Sequence, residues 1–293
     1  MALPGKRVIM RTPIVSCLLL IFLAFTFSCE KEYSNEGNLK QGNIDSLPAN
    51  YPFSSGFCAT VTLGVAVAEL NNYTPDTSVA LAPSVLLDMP AAGDQGSQSS
   101  CSAWAVAYGL GSYYTHAATG KAYSDTGNLS PKYTYNQIAK GNCGCTSLVD
   151  NLYLLREQGA ASLNSMPYDP RECLIQPNTA QKNNAANTRI QGFLRVDLFN
   201  MTLIKHTLAN NKPIVFAIPV DAGFLKLPSP YIWSSHTGTT GEEHAMVIVG
   251  YDDTKNSLRV LNSWSTAWAD DGGAWIDYNF FLSNTLQDGF VVY

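Results

Sequence analysis

Apolar positions along the chain change their period at about Lys212. Upstream, Ala103, Val106, Ala107 and Leu110 recur at i, i+3, i+4 and i+7, the stripe of an amphipathic helix. They predict a helix from Ser100 or Cys101 to about Tyr114, with Ser99 or Ser100 able to cap its start. Leu148, Leu152 and Leu155 predict a second helix, from about Ser147 to Gln158, which Gly159 stops. Met201, Ile204 and Leu208 predict a third, from about Leu198 to Ala209. Downstream the apolar runs are short and rich in β-branched and aromatic residues: Pro213–Val220, Ala245–Tyr251, Leu258–Leu261, Gly273–Tyr278 and Gly289–Tyr293. Residues Asp252 to Asn256 read as a hairpin turn. Helices first and strands second is α+β segregation, not βαβ alternation. An earlier apolar stretch, Ala59 to Leu70, has no decisive period, and the sequence shows no internal repeat.

The charge pattern narrows the function. Only 14% of the 293 residues are charged and 46% are hydrophobic, the make-up of a foldable globular chain. Net charge is −5, and no Lys/Arg run occurs beyond the first eleven residues, so the footprint of a nucleic-acid binder is absent. Lys6, Arg7 and Arg11 precede an apolar run from Ile14 to Phe27, the order of a targeting segment. That run ends in Phe27-Ser28-Cys29 and turns polar at Glu30-Lys31-Glu32, which resembles the lipobox of bacterial lipoproteins. The resemblance implies a signal peptide over 1–28, lipid attachment at Cys29, and a place in the cell envelope, tied to a membrane through that lipid alone. Residues 29–50 read as a polar tether, 51–78 as an N-terminal extension and 79–293 as the working domain. Past Cys29, five cysteines remain: Cys58, Cys101, Cys143, Cys145 and Cys173. An odd number in an exported chain points to one reactive thiol.

Position singles out Cys101. It stands at the first turn of the first helix, where the partial positive charge of a helix N-terminus favours a thiolate. His244 heads an apolar strand, in Glu243-His244-Ala245-Met246-Val247, and Asn262 ends the next one, in Leu261-Asn262-Ser263-Trp264. They lie 143 and 161 residues after Cys101, against a spacing of about 130–150 in papain and the cathepsins. His116 and His206, on helical surfaces, and His236, in a loop, carry no comparable pattern.

These segments, with Leu81–Asp88, Met166-Pro167-Tyr168-Asp169 and Asn211-Lys212-Pro213 in the same order, resemble the papain-like cysteine peptidases over residues 79–293. The resemblance implies an α+β fold of two lobes: a helical N-terminal lobe (79–195) and an antiparallel β-barrel lobe (196–293), with the active site in the cleft between them. It implies Cys101 as nucleophile, His244 as its acid–base partner, Asn262 as the residue orienting the ring, and Gln95 as an oxyanion donor. It also implies that Trp264 shields the Asn–His pair, and that Ser147, Ala245 and Trp264 line the substrate site. The partner would be a peptide or protein met by a monomer, with no cofactor and no metal. Family likeness suggests that Cys143 or Cys145 pairs with Cys173, the leftover reaching Cys58, although four cysteines allow three connectivities.

The chain departs from the family pattern at several places. Ser102 stands where an aromatic usually follows the nucleophile, and Gln98 where a disulfide cysteine usually precedes it. Thr146-Ser147 replaces a Gly-Gly pair that lets substrate backbone approach, and the stretch 30–78 is short and polar for an inhibitory prodomain. Two other readings follow: a catalytically degenerate binding module, or a thiol amidase or acyl transferase acting on cell-wall peptides.

Overall fold

The computed structural model describes residues 56–67 and 70–293; the targeting segment, the tether and Cys29 lie outside these. In chain order the elements are β1 (Ser84–Leu86), α1 (Cys101–Ala103), a π-helical stretch (Trp104–Gly111), α2 (Ser112–Thr119), α3 (Pro131–Ala139), α4 (Leu148–Glu157), α5 (Thr179–Ala185) and β2 (Phe193–Val196). Then come α6 (Met201–Ala209), β3 (Ile214–Asp221), α7 (Ala222–Leu225), β4 (Ile232–Trp233), β5 (Thr240–Asp252), β6 (Ser257–Leu261), β7 (Gly273–Asp277), α8 (Tyr278–Asn284) and β8 (Gly289–Val292). The segregation of helices before strands is as the periodicity predicts.

The eight-stranded sheet runs β2-β8-β3-β5-β6-β7-β4, with β1 added on β5. It is open, not the closed barrel expected for the second lobe. Its two end strands are unsuited to meet. β4 has two residues and runs parallel to β7. The free side of β2 is covered by extended chain, where Arg195 exchanges backbone hydrogen bonds with Asn71 and Tyr73.

Strand alternation builds both layers of the core. On β3, Ile214, Phe216 and Ile218 face one cluster with Met246 and Ile248 of β5 and with Trp233, Trp264, Trp268 and Phe281. Val215 and Ala217 face the other, with Ala245 and Val247 of β5, Phe290 of β8 and the helical residues Cys101, Val106 and Leu110. The helical half and the sheet therefore share one apolar layer, and Cys101 lies within it.

The first helix is longer than its stripe implied: α1, the π-helical stretch and α2 run without a break from Cys101 to Thr119. Every residue from Trp104 to Gly111 is buried, because sheet packs on one side and other helices on the rest. Ser100 occupies the cap position, but its hydroxyl pairs with Tyr168 Oη at 2.7 Å and does not cap the helix. α4 matches expectation, with Ser147 as its cap. Gly159 ends it at a φ of +77°, where a Cβ would lie 1.9 Å from the Ala185 carbonyl oxygen. α3 was missed for lack of an apolar stripe, yet Ser130-Pro131 is a helix-start signal.

Candidate active site

Cys101 is the first residue of α1, fully buried, and the free cysteine among the described residues. Its sulfur meets the backbone N–H groups of Ala245 on β5, at 3.5 Å, of Gly56 in the N-terminal extension and of the adjacent Ser102, whose side chain also interacts with it. Burial outweighs these donors and pushes the thiol up to about 11.

His244 precedes that Ala245 on β5 and is also fully buried. Its Nε2 lies 2.7 Å from Asn262 Oδ1, which simultaneously accepts the Ser263 backbone N–H at 2.7 Å. The Ser263 donor identifies the shared amide atom as oxygen, so Nε2 must carry the ring hydrogen. The lone pair of the neutral imidazole then sits on Nδ1, which has no hydrogen-bond partner. Burial pulls the imidazole down to about 4 against the opposing hydrogen bond from Asn262. Burial acts on both groups in the same direction, towards the neutral thiol and the neutral imidazole.

Trp264 lies flat over the His244 ring, with centroids 4.5 Å apart and planes at 26°. Phe224 and Trp268 back it from the core. This dry aromatic wall strengthens the Asn262–His244 bond. Trp264 is 1% exposed, so it shields the pair and offers no face to a ligand in this state. Gln95 is buried and clamped to the same loop: its Oε1 accepts from Ser263 Oγ at 2.6 Å and its backbone N–H donates to the Ser263 carbonyl. Its Nε2 donates to the Gln98 carbonyl at 3.0 Å. The Gln95–Cys101 segment is thus brought to His244 within β5 and to Asn262 just past the end of β6, with the Asp94–Trp264 bridge joining the two loops.

The departures at Ser102 and Thr146 explain each other. Ser102 Oγ donates to the Thr146 carbonyl at 2.7 Å, and Asn151 Nδ2 donates to Thr146 Oγ1 at 3.1 Å. An aromatic at 102 could not make the first bond. Ser147, expected in the substrate site, accepts the Asp150 N–H with its hydroxyl as the cap of α4. The neighbouring Thr146 backbone and the buried Asp150 carboxylate are the groups that meet the N-terminal extension. Both were passed over in the sequence, since neither residue type marks a site by itself. Ala245 is buried beside the sulfur, as expected of a wall residue. His116 stacks on Tyr123, His206 sits on α6, and His236 bridges Asp221 and Asn284; none takes part in this arrangement.

The cysteines pair as Cys58–Cys145 and Cys143–Cys173, which chooses one of the three open connectivities. The family model described as papain family cysteine protease matches residues 88–284, more than half of the chain. The chain belongs to that family.

Among curated proteins, the papain-family segment is 27% identical over 180 residues to gamete and mating-type specific protein A of Dictyostelium discoideum, covering 61% of this chain and 38% of that protein. It is 27% identical over 187 residues to cysteine proteinase 2 of Zea mays, covering 61% and 49%. The chain spans about half or less of the length of these relatives. Among solved structures, xylellain, a cysteine protease from Xylella fastidiosa, superposes with a TM-score of 0.68 at 24% identity, over 81% of this chain and 95% of that one. The bromelain protease from Ananas comosus gives 0.58 at 16% identity, over 72% and 99%. These superpositions show a shared papain-like fold. No helix among the described residues is long and apolar enough to cross a membrane.

Proposed function

We propose that this protein is an exported, lipid-anchored cysteine peptidase that hydrolyses peptide bonds through an acyl-enzyme. The observation that carries this reading is the ring assignment at His244. Asn262 holds the hydrogen on Nε2, so the bare Nδ1 is the base, on the residue beside the amide that touches Cys101 Sγ.

In the open enzyme, His244 Nδ1 takes the Cys101 thiol proton, and the sulfur attacks the substrate carbonyl carbon. The oxyanion that forms lies between the Cys101 backbone N–H and the Gln95 side-chain amide, both held before the reaction. The imidazolium returns its proton to the leaving amine and a thioester remains. Water then attacks with His244 as base, the carbon–sulfur bond breaks, and acid and thiol are released. Asn262 and Trp264 keep the ring in its tautomer throughout. Ala245 and Ser147 belong to the wall that receives the peptide.

Around this centre we place residues 79–293 as the peptidase domain of a monomer. Residues 1–28 are the signal, Cys29 is the lipid site and 29–50 the tether. The substrates are peptides or proteins, with no role for nucleic acid.

The decisive experiment compares the wild-type chain with Cys101→Ala on a proteome-derived peptide mixture, with cleavage sites read by mass spectrometry. Turnover is expected to vanish in a variant that keeps its thermal transition; equal cleavage by both chains contradicts the assignment. Hydrolysis of muropeptides alone would move the reading to a cell-wall amidase. In the same preparations, Cys29→Ser is expected to shift the protein from membrane to soluble fractions, and retention in the membrane would remove the lipid anchor.

A further inference from the structure

We infer that residues 56–67 are a strap that covers Cys101, and that the Cys58–Cys145 disulfide is the latch that makes its release a thiol–disulfide event; the inference rests on the peptidase reading above. The strap is extended, and residues 58–66 form no regular element. Its apolar side chains alternate. Phe57, Val61, Val65 and Val67 pack on the core cluster that contains Cys101, while Thr60, Gly64 and Ala66 are exposed.

Contacts at its start are backbone on backbone. A Cβ on Gly56 would lie 2.4 Å from Ser99 Cα, so only glycine lets the strap come this close. The Gly56 N–H points at Cys101 Sγ. Next, Thr146 N–H donates to the Gly56 carbonyl at 3.3 Å and Cys58 N–H donates to the Thr146 carbonyl at 3.2 Å, a parallel bridge through Phe57. Cys58 is then bonded covalently to Cys145, the residue before Thr146. Farther on, the buried Asp150 carboxylate takes three hydrogen bonds: Thr62 N–H at 2.8 Å, Thr62 Oγ1 at 3.0 Å and Leu63 N–H at 2.9 Å. The strap thus lies along the Thr146 wall, where the family pattern has the residues that substrate backbone approaches.

The latch decides how the strap can leave. Cys58 is two residues from Gly56, so a cut in the chain on either side leaves Gly56 tethered over the sulfur at high local concentration. Opening the disulfide removes that tether. Each bridge has one exposed half-cystine, Cys145 in the latch and Cys143 in the other; their partners differ, Cys58 being half-buried and Cys173 fully buried. Attack on an exposed sulfur expels its partner as a thiolate, and a thiolate expelled at buried Cys173 is the costlier one, so the latch is the bridge that opens first. A dithiol reductant attacks Cys145 Sγ, forms a mixed disulfide and expels the Cys58 thiolate. Its second thiol then breaks the mixed disulfide. Two electrons and two protons pass to the protein, giving free Cys58 and Cys145 thiols, and the reductant leaves oxidised. Water then reaches Cys101 and His244, and the burial that disfavours charge on both is relieved.

The test uses the full oxidised chain, with iodoacetamide labelling of Cys101 read by peptide mass mapping and peptide hydrolysis read in parallel. Without reductant, Cys58→Ser/Cys145→Ser is expected to label at Cys101 about tenfold or more faster than wild type. In wild type titrated with dithiothreitol, Cys101 labelling is expected to follow the appearance of Cys58 and Cys145 thiols and to precede that of Cys173. Equal labelling of a folded latch-free variant and wild type overturns the proposal. So does full labelling of wild type while Cys58–Cys145 is still closed, a result that needs no variant to fold. Fast labelling on latch opening without any peptide hydrolysis supports the latch and removes the peptidase reading instead.

Discussion

On one side of Cys101, Trp264 lies flat over His244, backed by Phe224 and Trp268, and Asn262 and Ser263 fix the ring by hydrogen bonds. On the other side, Gly56 and half-buried Phe57 and Val61 close the site with a few backbone bonds and one disulfide. Both sides exclude water, but they differ in what undoing them would cost. The first is core: Trp264, Phe224 and Trp268 are buried, and removing one leaves a cavity. The second lies at the surface, where each apolar side chain is already partly wet, so its loss exposes little new area. A permanent wall suits residues whose tautomer and orientation must persist through every turnover. A weak wall held by one covalent bond suits a cover that must come off.

Three measurements can break or sharpen this contrast. The largest effect is expected from truncating each wall. Trp264→Ala should destabilise the fold by about 3–5 kcal/mol, and Phe57→Ala by about 1 kcal/mol, both from urea unfolding; comparable losses would erase the distinction between core and cover.

Acid provides the second. The His244 imidazole is held at about 4 in the closed state, below its ordinary value of 6.5. The unfolded chain therefore takes up a proton between pH 6.5 and 4 that the closed chain does not. Stability from this group is full above 6.5, falls by on the order of 3 kcal/mol across that window, and changes no further below 4. Urea midpoints at pH 7, 5 and 4 should show this fall in wild type and a shallower one in His244→Gln; parallel slopes would mean the ring is not held neutral.

The smallest effect is expected at Asp150, which receives the far end of the strap. In the latch-free background, Asp150→Asn replaces an acceptor oxygen by a donor facing the strap's N–H groups. Cys101 labelling should rise a further fivefold or so, an effect of about 1 kcal/mol. No change would leave the disulfide as the strap's sole effective tie.

Much of the site is legible in the sequence because its parts obey local rules. Cys101 falls where a helix begins and Asn262 where β6 has just stopped; His244 opens the buried part of β5, whose strand starts earlier, at Thr240, than its apolar run shows. Each position is set by a period or a turn signal that short windows reveal. α3 escaped because it is buried nearly all round, by residues such as Lys132, Tyr133, Thr134, Tyr135 and Asn136 that hydrophobic periodicity does not count. The barrel was expected from family likeness, and it failed at strand ends. Whether β2 meets β4 depends on which chain covers the edge, and here Asn71–Tyr73 covers it.

The sequence by itself determined the order of the elements and, through its likeness to the papain-like motifs, the family, and it pointed to Cys101, His244 and Asn262 as the candidate reacting centre. The order follows from period, and the candidates from short motifs that each lie within one local segment. The tertiary structure alone decided the tautomer of His244, the pairing of Cys58 with Cys145 and the burial that disfavours charge on both the Cys101 thiol and the His244 ring. Each of these is a property of groups that meet across the fold: Cys58 and Cys145 are 87 residues apart, and Gly56 reaches Cys101 only because it fits against Ser99 without a side chain. Local pattern carries no record of such meetings, because burial and hydrogen-bond partners exist only once distant segments have packed.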